Sequence, residues 1–219
     1  MSLDPAHHVW LDHLTLTDVS RAGVSVVSTW DQDNAQAVVD ESGYITISSV
    51  RFDGFVSGSC GQRSERVLTT NRNPAITVTG SLFEGGRIRS PAAFGPGTWM
   101  HLYNNLWNDI DGRGLELSCG AAVIAQGNAI QSAHNALYDS DSGVPTWQFC
   151  ATGYYGSLGG QPTTGGGLAL PLSVGGTDVE LTVPVASGTA TATYRVTLAA
   201  APSAVAADVQ AHAGVGRLF

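Results

Sequence analysis

For polar chemistry this chain has ten arginines and no lysine, set against 18 carboxylates, six histidines and three cysteines. Arginine presents a planar fork that meets carboxylates two bonds at a time. Arg87 and Arg89 lie two positions apart and share a face if they fall on a strand, while Arg63 and Arg66 stand close together upstream. His7, His8 and His13 suggest a metal cluster at first sight. Side chains alternate faces along a strand, so His8 and His13 do not converge, and a histidine metal site is not expected. Cys60, Cys119 and Cys150 match no zinc spacing. Their odd number leaves one without a partner in the chain; a Cys119–Cys150 bridge and buried free thiols both stay open. Trp99, Trp107, Trp147, Tyr154 and Tyr155 offer faces that could stack on sugars, although packing is the expected use for most of them.

The formal net charge is −8, and the arginines form no basic stripe, which argues against nucleic acid as a partner. An anionic ligand is still compatible with this acidity, because a few local cations or a bound metal reverse the field in a cleft. No apolar run is long enough to span a bilayer, no membrane partner is expected, and the opening residues carry no signal-peptide pattern.

The elements that must position these groups are strands. Gly is frequent at 27 residues, only 13% of residues are charged, and Leu/Glu/Lys-rich helical stretches are nearly absent. Five segments resemble one another, beginning at Val9, Tyr44, Ala75, Met100 and Ala122. Each alternates apolar and polar residues, takes a small or Asn-containing corner, then places a further apolar residue two or three positions on. Their starts are 35, 31, 25 and 22 residues apart. The shorter intervals cannot hold a four-stranded propeller blade, and the hairpin dipeptides of a sandwich are sparse. A coiled parallel ribbon fits, in which equivalent side chains stack in ladders and loops bulge from one side. Asn104, Asn105 and Asn128 are expected to serve those corners structurally, and His101 to fill the core or a ladder.

The reading is therefore an all-β, right-handed parallel β-helix as a single domain over residues 1–219. Its coils run over about 7–155, and loops and tail over 156–219. Beyond Tyr155 the segments Gly159–Pro162 and Gly165–Gly167 read as loop. Strands are expected near Val179–Val185 and Thr189–Leu198, and a short helix near Pro202–Ala211. The first coils of a complete solenoid are expected to be missing from this stretch.

Val9-Trp10-Leu11-Asp12-His13 resembles the Trp-Ile-Asp-His strand of the pectate lyase family of parallel β-helix polysaccharide lyases. Val38-Val39-Asp40 followed by Tyr44–Ser48 resembles its acidic-loop-then-strand segment, and Arg89-Ser90-Pro91 the start of its Arg-x-Pro-x-x-Arg motif. Met100–Asn105 resembles its His-x-Tyr-Asn-Asn strand, Gln126-Gly127-Asn128 a Glu-Gly-Asn corner, and the stretch from Tyr194 to Gly216 its tail. These matches fall in the family's order.

The resemblance implies a monomeric, secreted enzyme that cleaves an acidic polysaccharide (pectate or polygalacturonate) by calcium-assisted β-elimination. A base takes the proton beside the uronate carboxylate, and the glycosidic oxygen leaves from the next carbon. Positive charge near that carboxylate stabilises the developing enolate, a task that suits calcium. By resemblance Arg89 is the catalytic arginine, and Asp12 and Asp40 are calcium ligands. The family's remaining ligand position falls at Gln36, so Asp33 or Asp31 on the same loop would supply that oxygen. Its substrate-binding lysine falls near Val56 or Ser57, and its second arginine at Phe94. Arg87 would then serve as the second cation, with Arg63 and Arg66 binding uronate carboxylates. The three altered positions favour two alternatives: a non-catalytic β-helix that binds carbohydrate or serves as a surface protein, or a lyase whose cleft takes a methylated or neutral sugar.

Overall fold

The computed structural model describes residues 1–3, 6–19, 22–27, 29–30, 38–40, 43–57, 63–71, 76–87, 89–94, 98–118, 121–131, 133–139, 153–158, 161–165, 178–184, 191–197 and 202–216. Asp31, Asp33, Gln36, the three cysteines and Trp147 lie outside them.

The alternating segments become the rungs of one parallel sheet. His7–Asp12, Gly43–Ser48, Ile76–Thr79, Trp99–Tyr103 and Ala122–Gln126 pair in that order, followed by Gly153–Leu158; we term this sheet B. Its period-two pattern is visible at Gly43–Ser48, where Ile45 and Ile47 are buried, Tyr44 is exposed, and Thr46 and Ser48 are half-buried. Ile45, Ile76, Met100 and Val123 stack in register inside the coil, as do Ile47, Val78, Leu102 and Ala125. Sheet C is built from Thr15–Leu16, Arg51–Asp53, Leu82–Glu84, Leu106–Asn108 and Ala129–Ile130. Sheet A comprises Ser2–Leu3, Ala22–Val27, Arg66–Asn71, Ala92–Phe94, Ile110–Ser118 and Ala133–Asp139. The chain visits the sheets in the order A, B, C and returns to A. All rungs within the three sheets are parallel except one, as a right-handed parallel β-helix requires. The exception corrects the loop expected after Gly159: Gln161–Gly165 forms a strand antiparallel to Gly153–Leu158 at the end of sheet B.

The three corners differ. Between sheets B and C every coil uses two residues, the first with positive φ: His13 (49°), Ser49 (51°), Gly80 (58°), Asn104 (53°) and Gly127 (58°). The second residue carries the corner's hydrogen bonds. Ser81 Oγ accepts from Val50 N–H, Asn105 Oδ1 from Ser81 N–H, and Asn128 Oδ1 from Asn105 N–H. Asn105 Nδ2 donates to Val78 O and Asn128 Nδ2 to Leu102 O, so buried backbone groups at the corner are satisfied by the rung beside them. The structural role expected for these asparagines holds. Beneath the corner Phe52, Phe83 and Trp107 stack at 4.9 and 5.2 Å between ring centroids.

The other two corners vary in length. From one to 12 residues join sheet C to sheet A, and from three to 15 join sheet A to sheet B. Sheet A is thus the face flanked on both sides by loops of changing length. Sheet C is covered instead. The helix Pro202–His212 sets Val205, Val209 and Ala213 against Leu82, Leu106 and Ala129 on its outer face. The expected late strands form an antiparallel hairpin, Asp178–Pro184 with Thr191–Thr197, and Asn104 Nδ2 donates to Thr197 O. Among the described residues no helix is long and apolar enough to cross a membrane.

Candidate active site

The segments that bear the candidate arginines meet at the corner between sheets C and A. Residues 63–66, 86–87 with 89, and 109–113 lie one above another there: Arg87 N–H donates to Ser64 O, Asp111 N–H to Gly86 O, and Val67 N–H to Arg89 O. Arg63 is engaged structurally. Its guanidinium donates to Asp109 O at 2.7 Å and to both carboxylate oxygens at 3.3 and 3.1 Å, and sits 5.0 Å from the Phe55 ring centroid. Arg87 is exposed and makes no ion pair among the described residues. Arg66 opens a sheet A rung opposite Ala22; its side chain is outside the described residues.

Arg89 differs from these three. It holds φ of +59°, a left-handed conformation that costs a residue with a Cβ about 1–3 kcal/mol and recurs at functional sites. Its Nε lies 3.4 Å from Glu116 Oε1, and its Cζ lies 5.2 Å from the Phe94 ring centroid. Glu116 and Phe94 are both on outward positions of sheet A, on either side of Ala92, which pairs with Glu116. Glu116 faces outward yet is only 2% exposed, and Arg113 Nη1 reaches its other oxygen, Oε2, at 3.2 Å. A buried carboxylate needs such partners, since an unpaired one would cost several kcal/mol. Two guanidinium groups thus meet one carboxylate on the outer face of sheet A.

Neither Arg113 nor Glu116 was expected from the sequence. Glu116 sits in Gly114-Leu115-Glu116-Leu117-Ser118, which reads as an ordinary alternating strand. Only the stacking of one coil on the next brings it to a residue 27 positions earlier.

The backbone sets the expected calcium ligands Asp12 and Asp40 at different ends of one rung pair. Asp12 is the last residue of its sheet B rung, opposite Ser48, at the corner between B and C. Asp40 ends the short strand Val38–Asp40 and enters the same rung pair from the other end, ahead of Gly43. Gly43 and Ser48 are five residue steps apart, about 16 Å of strand at 3.3 Å per residue. The Asp12 carboxylate is already used: Ser48 Oγ donates to Oδ1, and His13 Nδ1 lies 2.7 Å from Oδ2. The Ser48 hydroxyl, helped by His13 and opposed by burial, holds the Asp12 carboxyl below its usual range. Asp12 thus fits a corner ladder better than a metal shell of converging oxygens, which calcium holds at about 2.3–2.6 Å. Among the described residues no three Asp, Glu, His or Cys side chains converge on a cation position. The Asp40 side chain and Asp33 lie outside the described residues.

A second buried polar group lies on the outer face of sheet B. His101 is 4.8 Å from Tyr103 between ring centroids, and its Nε2 is 3.2 Å from Gln126 Oε1. Burial pushes its pKa down to about 4, against a smaller upward effect of Gln126, so the ring is neutral at pH 7.

A family model described as pectate lyase matches residues 1–218, and the chain belongs to that family. Its curated relatives include "Pectin lyase B" of Emericella nidulans, 30% identical over 135 residues, which are 60% of this chain and 32% of that protein. "Probable pectin lyase F" of the same organism is 28% identical over 148 residues, 66% of this chain and 29% of the relative. "Probable pectin lyase A" of Aspergillus clavatus is 30% identical over 135 residues, covering 60% and 32%. The chain spans about a third of the length of these relatives.

Proposed function

We propose that the chain carries the active-site face of a polysaccharide lyase that cleaves a pectin-type galacturonan by β-elimination, with Arg89 meeting the uronate. The carrying observation is the strained guanidinium of Arg89, anchored on the buried carboxylate of Glu116 on the outer face of sheet A. In that reaction the C5 proton passes to a base, the C5 electrons form the C4–C5 double bond, and the C4–O bond breaks with its electrons on the leaving oxygen. A fixed cation beside the uronate carbonyl lowers the cost of the developing enolate.

Two features support a methyl-esterified polymer over free pectate. The relatives' printed names are pectin lyases, and Phe94 puts an apolar ring beside Arg89 where the family motif has a second arginine. An ester needs less charge compensation than a carboxylate. Calcium assistance would rest on Asp33 and Asp40. The altered positions at Gln36, Val56 or Ser57, and Phe94 support a second reading, a β-helix that binds galacturonan without cleaving it.

Ultraviolet absorbance of the unsaturated product separates these readings, with methylated pectin and polygalacturonate as substrates, each with calcium and with chelator. The expected result is a rise on methylated pectin that persists in chelator and is lost in Arg89→Ala. Retained polymer binding with no absorbance on either substrate would establish the non-catalytic reading.

A further inference from the structure

We propose that the outer face of sheet B carries a second polysaccharide site, an aromatic shelf around Trp10 that holds a length of galacturonan chain away from Arg89. The proposal rests on the preceding reading for the class of polymer, and not for the role of Arg89.

Trp10 is 70% exposed and Tyr44 46%, the most exposed of the described Trp, Tyr and Phe side chains. Trp10 pairs with Thr46 on the next rung, and Tyr44 lies two residues before Thr46, so both rings stand on the same outer face. The indole is fixed in place. Its Nε1–H donates to Ser48 Oγ at 2.7 Å, Ser48 Oγ donates to Asp12 Oδ1, and His13 Nδ1 meets the other carboxylate oxygen. The one polar group of the ring is thereby satisfied within the protein, while its apolar area is left in water. Tyr44 is held differently. Its ring stacks on His8 with centroids 5.2 Å apart and planes 18° from parallel, and both residues adopt a left-handed φ, 53° and 59°. Such strain in residues with a Cβ recurs at ligand clamps.

The charge pattern selects the occupant. The chain has 18 carboxylates and ten arginines, yet the rungs of sheet B hold a single carboxylate and no arginine. That carboxylate is Asp12, already engaged on both oxygens. Sheets A and C carry both signs, as at Arg113 with Glu116 and at Arg51 with Glu84. In a molecule of net charge −8, sheet B is therefore the face on which a polyuronate chain meets least repulsion. Thr46 and Thr77 follow Trp10 in register on the next two rungs, a row about 10 Å long at about 4.8 Å per rung. A ring followed by hydroxyls suits a sugar chain, which is apolar on its ring faces and polar at its edges. A second copy of this chain would call for apolar neighbours around the indole, and those neighbours are hydroxyl side chains.

The test compares the parent chain with Trp10→Ala, Trp10→Phe, Tyr44→Leu, Arg89→Ala and the Arg89→Ala/Trp10→Ala double variant. Retention is read by affinity electrophoresis in gels containing methylated pectin or polygalacturonate, and turnover by product absorbance on a short methylated oligogalacturonide. Trp10→Ala should weaken retention about 5- to 10-fold on both polymers while turnover of the short substrate stays within about 2-fold. Trp10→Phe keeps a ring face and should restore most of the retention. The weakening should be the same in the Arg89→Ala background, since two separate sites act independently. Tyr44→Leu, expected to weaken retention about 3-fold, carries the test should Trp10→Ala lose its circular-dichroism signature.

Parental retention in Trp10→Ala and Tyr44→Leu, beside an inactive Arg89→Ala, would overturn this proposal and leave the lyase reading intact. A Trp10→Phe as weak as Trp10→Ala would refute stacking as the source of affinity. Weakening that disappears in the Arg89→Ala background would refute a separate site. A parent that sediments as a dimer and a Trp10→Ala that sediments as a monomer, with retention unchanged, would give the face to a second copy instead. A parent retained on neither polymer and without product absorbance would overturn both readings. Turnover is not required for the test: if the parent binds without cleaving, retention alone decides it.

Discussion

Replacing Asn105 with Ala tests the claim that the B–C corner holds the coils together through buried amides. Asn105 is fully buried, and its side chain makes three contacts. Oδ1 accepts from Ser81 N–H at 3.0 Å, and Nδ2 donates to Val78 O at 2.8 Å and to Asn128 Oδ1 at 3.1 Å. Alanine leaves the buried Ser81 N–H without its acceptor and removes one donor from Val78 O. Asn128 Oδ1 keeps the backbone N–H of residue 105. An orphaned buried group costs about 1–3 kcal/mol, so one full and one partial loss come to about 3 kcal/mol. That is a large share of a total stability of about 5–15 kcal/mol. The neighbouring Asn104 serves as the control. It has φ of 53°, and its bond to Thr197 O is exposed, so Asn104→Gly gives up solvent-exposed bonding and relieves the left-handed strain. That change should stay within about 1 kcal/mol of the parent. Urea unfolding followed by circular dichroism and by tryptophan fluorescence measures both. An Asn105→Ala midpoint indistinguishable from the parent, or an equal loss in Asn104→Gly, would refute the ladder account.

Two further outcomes are expected. With its folded-state pKa at about 4 against a usual 6.5, His101 takes its proton first in the unfolded chain, so its contribution is intact above pH 6.5 and lost as pH falls toward 4. At about 1.36 kcal/mol per pH unit the loss is about 3 kcal/mol, and His101→Gln should flatten that part of a pH-stability curve measured by thermal or urea melts. An unchanged slope in the variant would show that the ring does not carry it. Gly214 has φ of +104°, and a Cβ there would stand 2.7 Å from Thr15 Oγ1 and 3.3 Å from Arg51 Cβ. Gly214→Ala should therefore strain the tail where Gly214 N–H meets Ser49 O, at a cost of about 1–3 kcal/mol, and speed proteolysis of the C-terminal helix. Parental protection would show that the tail is held elsewhere.

The sheet B rungs were legible because alternation of period two is a local property, and each rung displays it in four to six residues. Asn105 and Asn128 were legible for the same reason: the corner recurs at a fixed offset after each rung. Features that arise from stacking were not. Glu116 looks like any outward strand residue until the coil carrying Arg89 is laid beside it. Asp12 read as a calcium ligand by resemblance, and the register that sets it opposite Ser48 emerges only when two coils stack. The strand at Gln161–Gly165 hid behind glycines and a proline, since an edge strand at the end of a sheet tolerates residues that an interior strand would not.

The constant two-residue turn between sheets B and C has a consequence for how such a protein can change. Each coil is pinned at one vertex by a left-handed residue and a buried bond to its neighbour, so an insertion there would break register with the coils on both sides. Added or lost residues can be absorbed only at the two vertices beside sheet A. Lineages of this fold can therefore rebuild the rim around Arg89 freely while the opposite edge stays fixed. Engineered peptides should follow the same asymmetry: between Asp53 and Arg66 they would extend a loop, and between Tyr103 and Leu106 they would stop the solenoid from winding.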